Sequence, residues 1–485
     1  MKKNIFILIL VLTIISPLFS NSTFQGILNI NPTFFYNSIP LNTTSKDVVE
    51  NPDYSETVQE KFYRYFKVPS ITDIGMVVNS EKTRLVILLD IQQDVMTYFN
   101  DYQYSNIPFI GNDSRAVSSL NGPDTGFLET TYDRLFISFG RRALKWGPSD
   151  YDLALSDNAP YLDNIWLDYS YPLKKGTLKF NYITVGFNNT ASNGNDSDND
   201  LYRKTLFAHR FIWETDSLRI GLGELNLIYN HVPSLLDATP LTFFHNNYQQ
   251  DRSNVLMQIS LEKLFKFEDW KFRVYGSFAQ DELKLPTEND WPTAVGFNAG
   301  IQIHILNGEV FKSPILKKTD FTLREENFKF YDGLNISYEF YYLTPFIYNR
   351  EIEEGRFTVP VFLFYQGGNL TNENAVFIGF PYGPDSQVHK IELSYDKKNY
   401  RFYYKEELIR KGSYTIKTEY SEASNSQFYN FKLNSPVKNR LESTLGLNYV
   451  FKKQTLINFS IELINDFYNK SSYLSVMVGA SINLF

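Results

Sequence analysis

The chain has 485 residues, a formal net charge of −7 and no cysteine. The missing cysteine excludes a disulfide framework and a cysteine-linked lipid anchor, and the negative charge without a clustered basic stripe argues against nucleic acid as a partner. Beyond residue 22, no window supplies the roughly 18 apolar residues that a membrane helix needs. Aromatic residues nevertheless reach 16% of the chain, which is unusual for a plain soluble secreted protein.

The first residues predict export. Lys2 and Lys3 precede an apolar run over 5–19, and small residues suited to cleavage follow it. This three-part pattern is typical of a secretory signal and is too short for a stable membrane anchor. We therefore expect residues 1–22 to be a signal peptide and 23–485 to be the mature protein. Cleavage removes two lysines and no acid, so the mature chain is more acidic than the full one.

Alternation of apolar and polar residues dominates the rest of the chain. In 334–342 every second residue is apolar, from Leu334 to Tyr342, and the residues between them include Asn335 and Glu339. A period of two is typical of strands with one apolar and one polar face. Comparable runs lie at 71–78, 84–92, 132–140, 177–187, 217–229, 255–262, 271–279, 295–305, 389–396, 399–408, 441–451 and 457–463. We count roughly eighteen runs and expect a helix only around 53–66.

Two architectures fit such strands. In a soluble sandwich the apolar faces meet each other, whereas in an outer-membrane barrel they meet lipid and the polar faces line the lumen. Several runs span about ten residues, the length that a tilted strand needs to cross a bilayer. Tyr and Phe cluster towards strand ends, as in "YEFYYLTPFIY" at 338–348, which suits an interfacial aromatic girdle. The last run ends on Phe485, which resembles the signal read by the outer-membrane insertion machinery, although Phe485 is in phase with the polar Asn483.

The sequence therefore predicts an all-β fold, a transmembrane antiparallel β-barrel of about eighteen strands whose lumen is plugged by long inserted loops, with one short helical segment near the N-terminus. The long irregular stretches lie at 38–70, 95–130, 142–163, 230–253, 306–331 and 367–387. Loops of this length in a compact fold are usually functional or fill something. We expect 38–70 to be a periplasmic or plug insertion and 142–163 and 230–253 to be structured loops. The sequence leaves open which side of the membrane each loop faces.

The stretch 144–160, "LKWGPSDYDLALSDNAP", is the most distinctive loop. Its two prolines and Gly147 break strand geometry, and its Asp and Asn residues favour turns, while the side chains of Trp146 and two leucines give it something to pack against. One interpretation is a structured plug at the lumen mouth. The other is a sugar site, because an indole stacks on a sugar ring and carboxylates or amides bind its hydroxyls. The candidate contacts are Trp146, Asp150, Asp152 and Asn158, with Arg142 at the end of the preceding strand.

A second candidate group lies in "TPLTFFHNNYQQDRSN" at 239–254. His245 suits a general base or a metal ligand, and we include it with Asp251 and Arg252 as a tentative ligand-binding group. The five histidines of the chain show no metal-ligand spacing, so we expect no metal and no cofactor. An ion pair of Arg252 with Asp251 or another loop carboxylate would pin this insert. No catalytic residue is assigned.

The segment "GRRALKWGPSDYDLALSDNAP" at 140–160 resembles the signature of the capsule-assembly (Wzi) family of outer-membrane barrels, in which a Gly-Arg strand end leads into a Trp-Gly corner and a Leu-Ser-x-Asn-Ala-x-Pro-like segment. The matching positions are Gly140, Arg141, Trp146, Gly147, Leu155, Ser156, Asn158, Ala159 and Pro160, and the proline follows Ala159 directly, which is a small departure. A later segment is also similar at His209, Arg210, Glu224, Pro240, Phe243, Asp251, Ser253 and Asn254. The resemblance covers roughly 135–260. It implies a plugged barrel of eighteen strands that acts as a surface lectin, since the type members hold exported capsular polysaccharide at the cell surface.

The leading functional hypothesis is a non-enzymatic protein in the outer membrane of a diderm bacterium that binds or organises surface polysaccharide. Its expected partners are outer-membrane lipid, surface glycan and, during biogenesis, the insertion machinery. A porin or solute channel is the alternative, since charged lumen faces suit it. A third hypothesis, a hydrolase that uses His245 or His304, has no supporting triad spacing.

Overall fold

The structure is a computed structural model that describes residues 22–37, 57–93, 106, 118–119, 125–159, 161–187, 204–241, 243–244, 252–268, 270–282, 293–350, 353–359, 376–416, 418 and 432–484. The residues assigned to the signal peptide before position 22 lie outside these ranges. So do Phe485 and two of the candidate site residues, His245 and Asp251.

Eighteen antiparallel strands form one closed barrel, which confirms the predicted fold class. The strands are β1 (Thr23–Ile30, continued by Thr33–Asn37), β2 (Thr72–Asn79), β3 (Thr83–Gln93), β4 (Thr125–Tyr132), β5 (Leu135–Arg142), β6 (Leu162–Pro172), β7 (Thr177–Gly186), β8 (Lys204–Glu214), β9 (Leu218–Tyr229), β10 (Ser253–Lys266), β11 (Lys271–Glu282), β12 (Ala294–Leu306), β13 (Gly333–Leu343), β14 (Ser386–Lys397), β15 (Tyr400–Lys411), β16 (Lys438–Lys452), β17 (Thr455–Asp466) and β18 (Ser471–Asn483). Each strand pairs with its neighbours in the chain.

Strand β1 closes the barrel between β2 and β18. Its first segment pairs with β2 and its second with β18, where Phe34 lies opposite Val478. The break falls at Asn31 and Pro32, where the backbone N–H of Thr33 donates to Oδ1 of Asn106 at 2.9 Å and Nδ2 of Asn106 donates to the Asn31 carbonyl at 2.8 Å. A side chain therefore satisfies the backbone groups that the bend leaves without a strand partner.

The two faces of the strands differ as the alternation predicts. On β10, Ile259 and Leu261 point outward and are 44% and 50% exposed, whereas Gln258 and Glu262 point inward and are buried. Exposed apolar side chains recur on the outer face of strands around the wall, and most of the buried polar ones line the lumen. An apolar outer band with a polar interior is the pattern of outer-membrane barrels. Among the described residues, no helix is both long and apolar enough to cross a membrane.

The two ends of the barrel differ in the length of their connections. At one end, which we call the turn end, seven connections have two to four residues, at 80–82, 133–134, 173–176, 215–217, 267–270, 398–399 and 453–454. The opposite end, the loop end, has eight connections of 11 or more residues and one short connection, 467–470, and the one long connection at the turn end is 307–332. Short turns face the periplasm in bacterial barrels of this type, so the loop end corresponds to the cell surface.

The single α-helix described, α1 (Val58–Lys67), belongs to the loop-end connection between β1 and β2. Thr57 caps it, because its side-chain oxygen accepts from the Glu60 backbone N–H at 3.3 Å while the Glu60 carboxylate accepts from the Thr57 N–H at 2.6 Å. Phe62 and Tyr65 are buried in the apolar core that fills the lumen. The predicted short helical segment is thus present, and it lies inside the barrel.

One predicted loop was wrong in its extent. The stretch 95–130 includes the start of β4 at Thr125, and the predicted run 132–140 crosses the turn at Asp133, which has a left-handed φ of 51°. The reason is the composition of β4, "TGFLETTY", whose Thr, Gly and Glu residues weaken the apolar alternation. The strand forms because both of its edges are paired, with β3 and with β5.

Candidate functional site

Three segments enter the lumen and meet there. The outer insert, residues 143–159, enters from the loop end between β5 and β6, and the rim insert enters from the same end with its described parts at 344–350, 353–359 and 376–385. The strap, residues 307–332, enters from the turn end between β12 and β13. Leu144–Lys145 of the outer insert pairs in parallel with Leu323–Arg324 of the strap. Segments from opposite mouths of the barrel are therefore joined by backbone hydrogen bonds.

The strap reaches both sides of the barrel wall. On one side Asn29 of β1 donates to the Leu316 carbonyl at 2.8 Å, and Lys318 lies 3.3 Å from the carboxylate of Asp90 on β3. On the other side, Gln302 of β12 donates to the Phe330 carbonyl at 3.0 Å and accepts from its N–H at 3.1 Å. The strap thus crosses the lumen and is fixed to the wall at both ends.

Glu325 of the strap connects the outer insert to the wall. One carboxylate oxygen accepts from the Gly147 backbone N–H at 2.8 Å and lies 3.2 Å from Nε of Arg210, and the other accepts from Arg219 at 2.9 Å. Burial by itself raises the pKa of a carboxyl group, but the two guanidinium groups reverse this and hold the pKa of Glu325 below its usual value. Glu325 is therefore an ionised bridge between the strap, the outer insert and strands β8 and β9.

The Trp-Gly corner is as tight as the sequence predicts. Gly147 has a φ of 66°, and a Cβ added there would lie 2.1 Å from an oxygen of Asp152, so only glycine fits. Trp146 is fully buried, its Nε1–H donates to Oδ1 of Asn181 at 3.1 Å, and its ring lies 5.2 Å from the guanidinium of Arg210. The side chain of Trp146 therefore anchors the outer insert in the lumen.

Asp152 and Asn158 hold the insert in shape. Oδ1 of Asp152 accepts from the backbone N–H groups of Ala154 and Leu155 at 2.8 and 2.9 Å, and Gln258 of β10 donates to both carboxylate oxygens. Burial raises the pKa of Asp152. Asn158 donates to the Gly379 carbonyl of the rim insert. Both side chains are therefore bonded to the protein itself.

Asp150 lies at the centre of a charged cluster. Its carboxylate forms ion pairs with Lys329 of the strap and with Lys390 of β14, the latter at 2.6 Å, and its backbone N–H donates to Glu339 of β13 at 3.0 Å. Burial acts to raise the pKa of Asp150, but Lys329, Lys390 and Lys145 together hold it well below its usual value. Asp150 therefore ties the outer insert to the strap and the wall by charge.

The remaining predicted site residues lie apart from this cluster. Arg142 is buried, donates to Glu129 at 2.9 Å and Ser138 at 2.6 Å, and stacks 3.9 Å above the ring of Phe127. Arg252 is exposed at the start of β10 and its carbonyl accepts from the Tyr229 N–H. His245 and Asp251 lie outside the described residues. Sugar binding by any member of the predicted group stays a prediction.

A cavity of about 290 Å³ remains in the lumen between α1, the two loop-end inserts and strands β15 to β18. Three tyrosines line it, and Tyr151 packs edge-on against Tyr63 and Tyr382 at ring distances of 6.4 and 5.9 Å. The hydroxyls of Tyr151 and Tyr382 donate to Glu407 at 2.7 and 2.5 Å. The cavity thus combines aromatic surfaces with fixed polar groups, which is the usual make-up of a ligand pocket.

Charged side chains complete the cavity wall. Arg64 of α1 contacts Glu442 of β16 at 3.3 Å and Glu462 of β17 at 3.1 Å. Lys405 of β15 also lines the cavity, and its side chain is 41% exposed. A pocket with both signs of charge and aromatic rings can bind a polar neutral ligand by hydrogen bonding and stacking.

The structure also shows the surroundings of His304, which we considered as a hydrolase base. The residue is buried near the turn end, its Nδ1 lies 3.1 Å from Oδ1 of Asn335, and its Nε2 lies 3.1 Å from Oδ1 of Asn307. Both ring nitrogens are engaged by amides, which suits a structural role. Within the described ranges, no group of three His, Asp or Glu side chains is arranged to hold a metal ion.

Sequence reasoning missed most of the residues that surround the outer insert. Glu325 and Lys329 lie in a stretch that carries no turn or motif signature, and Glu339, Lys390 and Glu407 are ordinary polar positions of alternating strands. The only signal is that all three strand residues fall on the polar face, which predicts a lumen position but no partner.

No protein-family model and no curated protein sequence matches this chain. Among solved structures, the chain is similar to Wzi, an outer-membrane protein involved in group 1 capsule assembly in Escherichia coli that is described as a carbohydrate-binding β-barrel. The sequence identity is 12% and the TM-score is 0.52, and the match covers 97% of this chain and 86% of that chain. Weaker similarity is found to two Pseudomonas aeruginosa barrels. OccK5 (OpdH) has 8% identity, a TM-score of 0.45 and coverage of 95% and 98%, and OprD has 8% identity, a TM-score of 0.44 and coverage of 96% and 95%. The resemblance seen in the sequence is confirmed at the level of the fold: this chain is an eighteen-stranded outer-membrane barrel with the architecture of the Escherichia coli Wzi structure.

Proposed function

We propose that this protein is a non-enzymatic outer-membrane protein that binds or organises surface polysaccharide, and that its lumen cavity contacts the glycan. The observation that carries the proposal is the filled lumen, in which the strap and two inserts leave a cavity lined by aromatic and charged groups. Pockets for small ligands start at roughly 300 Å³, so a cavity of about 290 Å³ suits one or two sugar units. That the solved barrel with this fold is described as carbohydrate-binding adds support.

The proposed mechanism is weak binding at each sugar unit, multiplied along a long polymer. Tyr63, Tyr151 and Tyr382 offer ring faces and edges to the C–H groups of a sugar, and Lys405 and Glu442 offer partners for its hydroxyls. Repeated units raise retention because a second contact is intramolecular once the first has formed. Trp146, Asp152 and Asn158 enter this proposal as supports that hold Tyr151 in place, and direct sugar contact by them stays a prediction.

The binding test is retention of the cell's own surface glycan on purified, immobilised barrel. We expect wild-type protein to retain it, Tyr63→Ala to retain markedly less, and Tyr132→Ala to behave as wild type, because Tyr132 lies at a turn on the outside and is 73% exposed. The retained glycan should elute with unchanged chain length, as a non-enzymatic protein requires. Absence of retention by wild-type protein, or shortening of the glycan, would contradict the proposal.

The porin alternative is separated by planar-bilayer conductance. A strap fixed to opposite walls predicts no stable large conductance steps from wild-type protein. Replacing residues 309–331 by a short Gly-Ser turn removes the crossing segment, and we expect such steps to appear. Large steps from the wild-type barrel would favour a channel.

In cells, deletion of the gene should shift surface polysaccharide from the cell-bound to the released fraction.

A further inference from the structure

The outer wall of the barrel carries a polar pair at mid-strand. His209 is the sixth of the 11 residues of β8, and Glu224 is the seventh of the 12 residues of β9. The two are cross-strand partners, and Nε2 of His209 lies 3.3 Å from Oε2 of Glu224. Both side chains are on the outward face, since Ile220 and Leu222, in phase with Glu224, are exposed on the wall. Yet His209 and Glu224 are only 3% and 4% exposed.

Their depth makes this arrangement unusual. A tilted strand of about 9–11 residues crosses the hydrocarbon core, so the middle of an 11- or 12-residue strand lies at the level of the acyl chains. Ionisable side chains that face lipid at that level are costly, and they are normally kept away from it. Something must therefore cover this part of the wall.

The cover is a folded-back part of the chain. We call residues 230–244 the wall loop, described at 230–241 and 243–244. The ring of Phe244 lies 4.5 Å from that of His209, and its backbone N–H donates to Glu224 at 2.8 Å. Tyr182 of β7 donates its hydroxyl to the Ala238 carbonyl at 2.7 Å. The polar wall residues thus bind the backbone of the loop.

The wall loop also satisfies part of its own backbone. Ser234 begins a single turn in which its hydroxyl and N–H both donate to the Asp237 carboxylate, and the N–H of Ala238 donates to the Ser234 carbonyl at 3.3 Å. The N–H of Thr239 donates to the Leu236 carbonyl at 3.1 Å. Irregular backbone is tolerated at membrane depth only where it is shielded from lipid, because its polar groups need partners there. The bonds above supply such partners to these groups of the wall loop, and the side chains on its outer face lie between them and the surroundings.

The outer face of the wall loop is strongly apolar. The exposed side chains are Val232 (57%), Leu235 (90%), Leu236 (51%), Leu241 (71%) and Phe243 (55%). The wall beside the loop is apolar as well: Val255 of β10 is in one buried cluster with Phe244, and Ile259 and Leu261, in phase with Val255 on the same strand, are exposed. Exposed apolar side chains in this number on a barrel wall mark contact with a membrane or a protein.

We propose that the wall loop lies within the cell-surface leaflet of the membrane, where the acyl chains of lipid are the partner of its apolar face. The barrel then has a second layer of wall over β8 and β9. The outward-facing polar side chains of the wall contact the wall loop instead of lipid; they are His209, Glu224 and Tyr182. The lipid contacts the apolar side chains of the wall loop, such as Leu235 and Leu241.

The absence of native cysteine makes this position directly measurable, because a spin label on an introduced cysteine is unique. We would label Leu235→Cys and Leu241→Cys, with Leu261→Cys as the lipid-facing control and Asp216→Cys in an exposed turn as the aqueous control. The barrels are reconstituted in vesicles of phosphatidylethanolamine and phosphatidylglycerol, with a water-soluble nickel chelate present on both sides. Oxygen, which partitions into lipid, should dominate relaxation at 235, 241 and 261, and nickel should dominate at 216.

Two results would overturn the proposal. Nickel-dominated relaxation at 235 and 241 would place the loop in water, and protection from both reagents would mean that a second protein surface covers it.

A further variant tests the role of Glu224. In Glu224→Ala the label at position 241 should become more mobile, while Glu224→Gln keeps an acceptor for the Phe244 N–H and should restore the wild-type spectrum. Equal mobility in wild type and Glu224→Ala would show that the polar wall residues do not hold the loop.

Discussion

The cluster around Asp150 allows one prediction with a defined magnitude. In Asp150→Asn the side chain keeps its size but loses its charge, which leaves the ammonium groups of Lys329 and Lys390 without their shared partner. The side chains of Asp150 and Lys390 are only 17% and 5% exposed, so the pair counts as largely buried. Removing one partner of a buried pair costs about 3–5 kcal/mol. We expect this loss to act on the docking of the outer insert, because Asp150 is its charged link to the strap and to β14.

Hydrogen exchange followed by mass spectrometry measures that docking. A loss of about 3 kcal/mol raises the population of the undocked insert by at least roughly 100-fold, and the exchange of the protected amides in 143–159 should accelerate in proportion. The matched control is Glu326→Gln in the strap, where an acid also becomes an amide. Glu326 is 77% exposed in its pair with Lys179, so its loss should cost at most about 1 kcal/mol. Equal exchange in 143–159 for Asp150→Asn and Glu326→Gln would show that the ion pairs of Asp150 do not hold the insert in the lumen.

Three further predictions concern the same insert. The pKa of Asp150 is held well below its usual value, so the stabilisation by its carboxylate should be complete above about pH 4 and lost as the pH falls from there through the folded-state pKa. The stability difference between wild type and Asp150→Asn, measured by thermal unfolding, should therefore be constant from pH 8 to 5 and shrink only in stronger acid. Gly147→Ala should lower the stability by about 1 kcal/mol or more, because it combines a left-handed φ of 66° with a clash against Asp152. Gly186→Ala is the control, since an added Cβ meets nothing within 4 Å there, and equal melting temperatures of the two variants would contradict the prediction. Trp146→Phe leaves Oδ1 of Asn181 without its 3.1 Å donor and should cost about 1–3 kcal/mol in chemical unfolding. An unfolding midpoint equal to that of the wild type would mean that this bond does not stabilise the insert.

The fold was predictable because its main signal is local. Two-residue alternation reports which face of a strand is apolar, and it located most of the strands without any knowledge of their partners. β4 escaped because Thr125, Gly126 and Glu129 interrupt the alternation, and its pairing with β3 and β5 overrides that weakness.

The site was predictable only in part, because its partners are distant in the chain. The Gly147 corner could be inferred from a glycine beside a proline, and the structure confirms it. The partners of the outer insert, Glu325, Lys329 and Lys390, are separated from Asp150 by more than 170 positions, and nothing in the local sequence of a strap or a strand indicates which charge it meets. The same limit applies to His209. The alternation puts His209 and Arg210 on opposite faces of the strand without indicating which of them faces outward, and only the folded-back wall loop explains why a histidine is acceptable on the outer face.

The position of the cavity beside the closing strands has a consequence for biogenesis. Its wall includes Phe35 of β1 and Met477 of β18, the two strands whose pairing turns the sheet into a cylinder. The outer insert is anchored mainly on β7 to β14, and the strap is bonded to β1 and β3 as well as to β12, so the anchors described above do not require the pairing of β1 with β18. A folding intermediate with a gap between its first and last strands could already hold the outer insert and the strap in its lumen, but it would have an open cleft in place of the cavity. The protein therefore becomes able to bind a ligand in the cavity only after β1 pairs with β18 and closes the barrel. Binding of such a ligand would indicate that assembly of the barrel is complete.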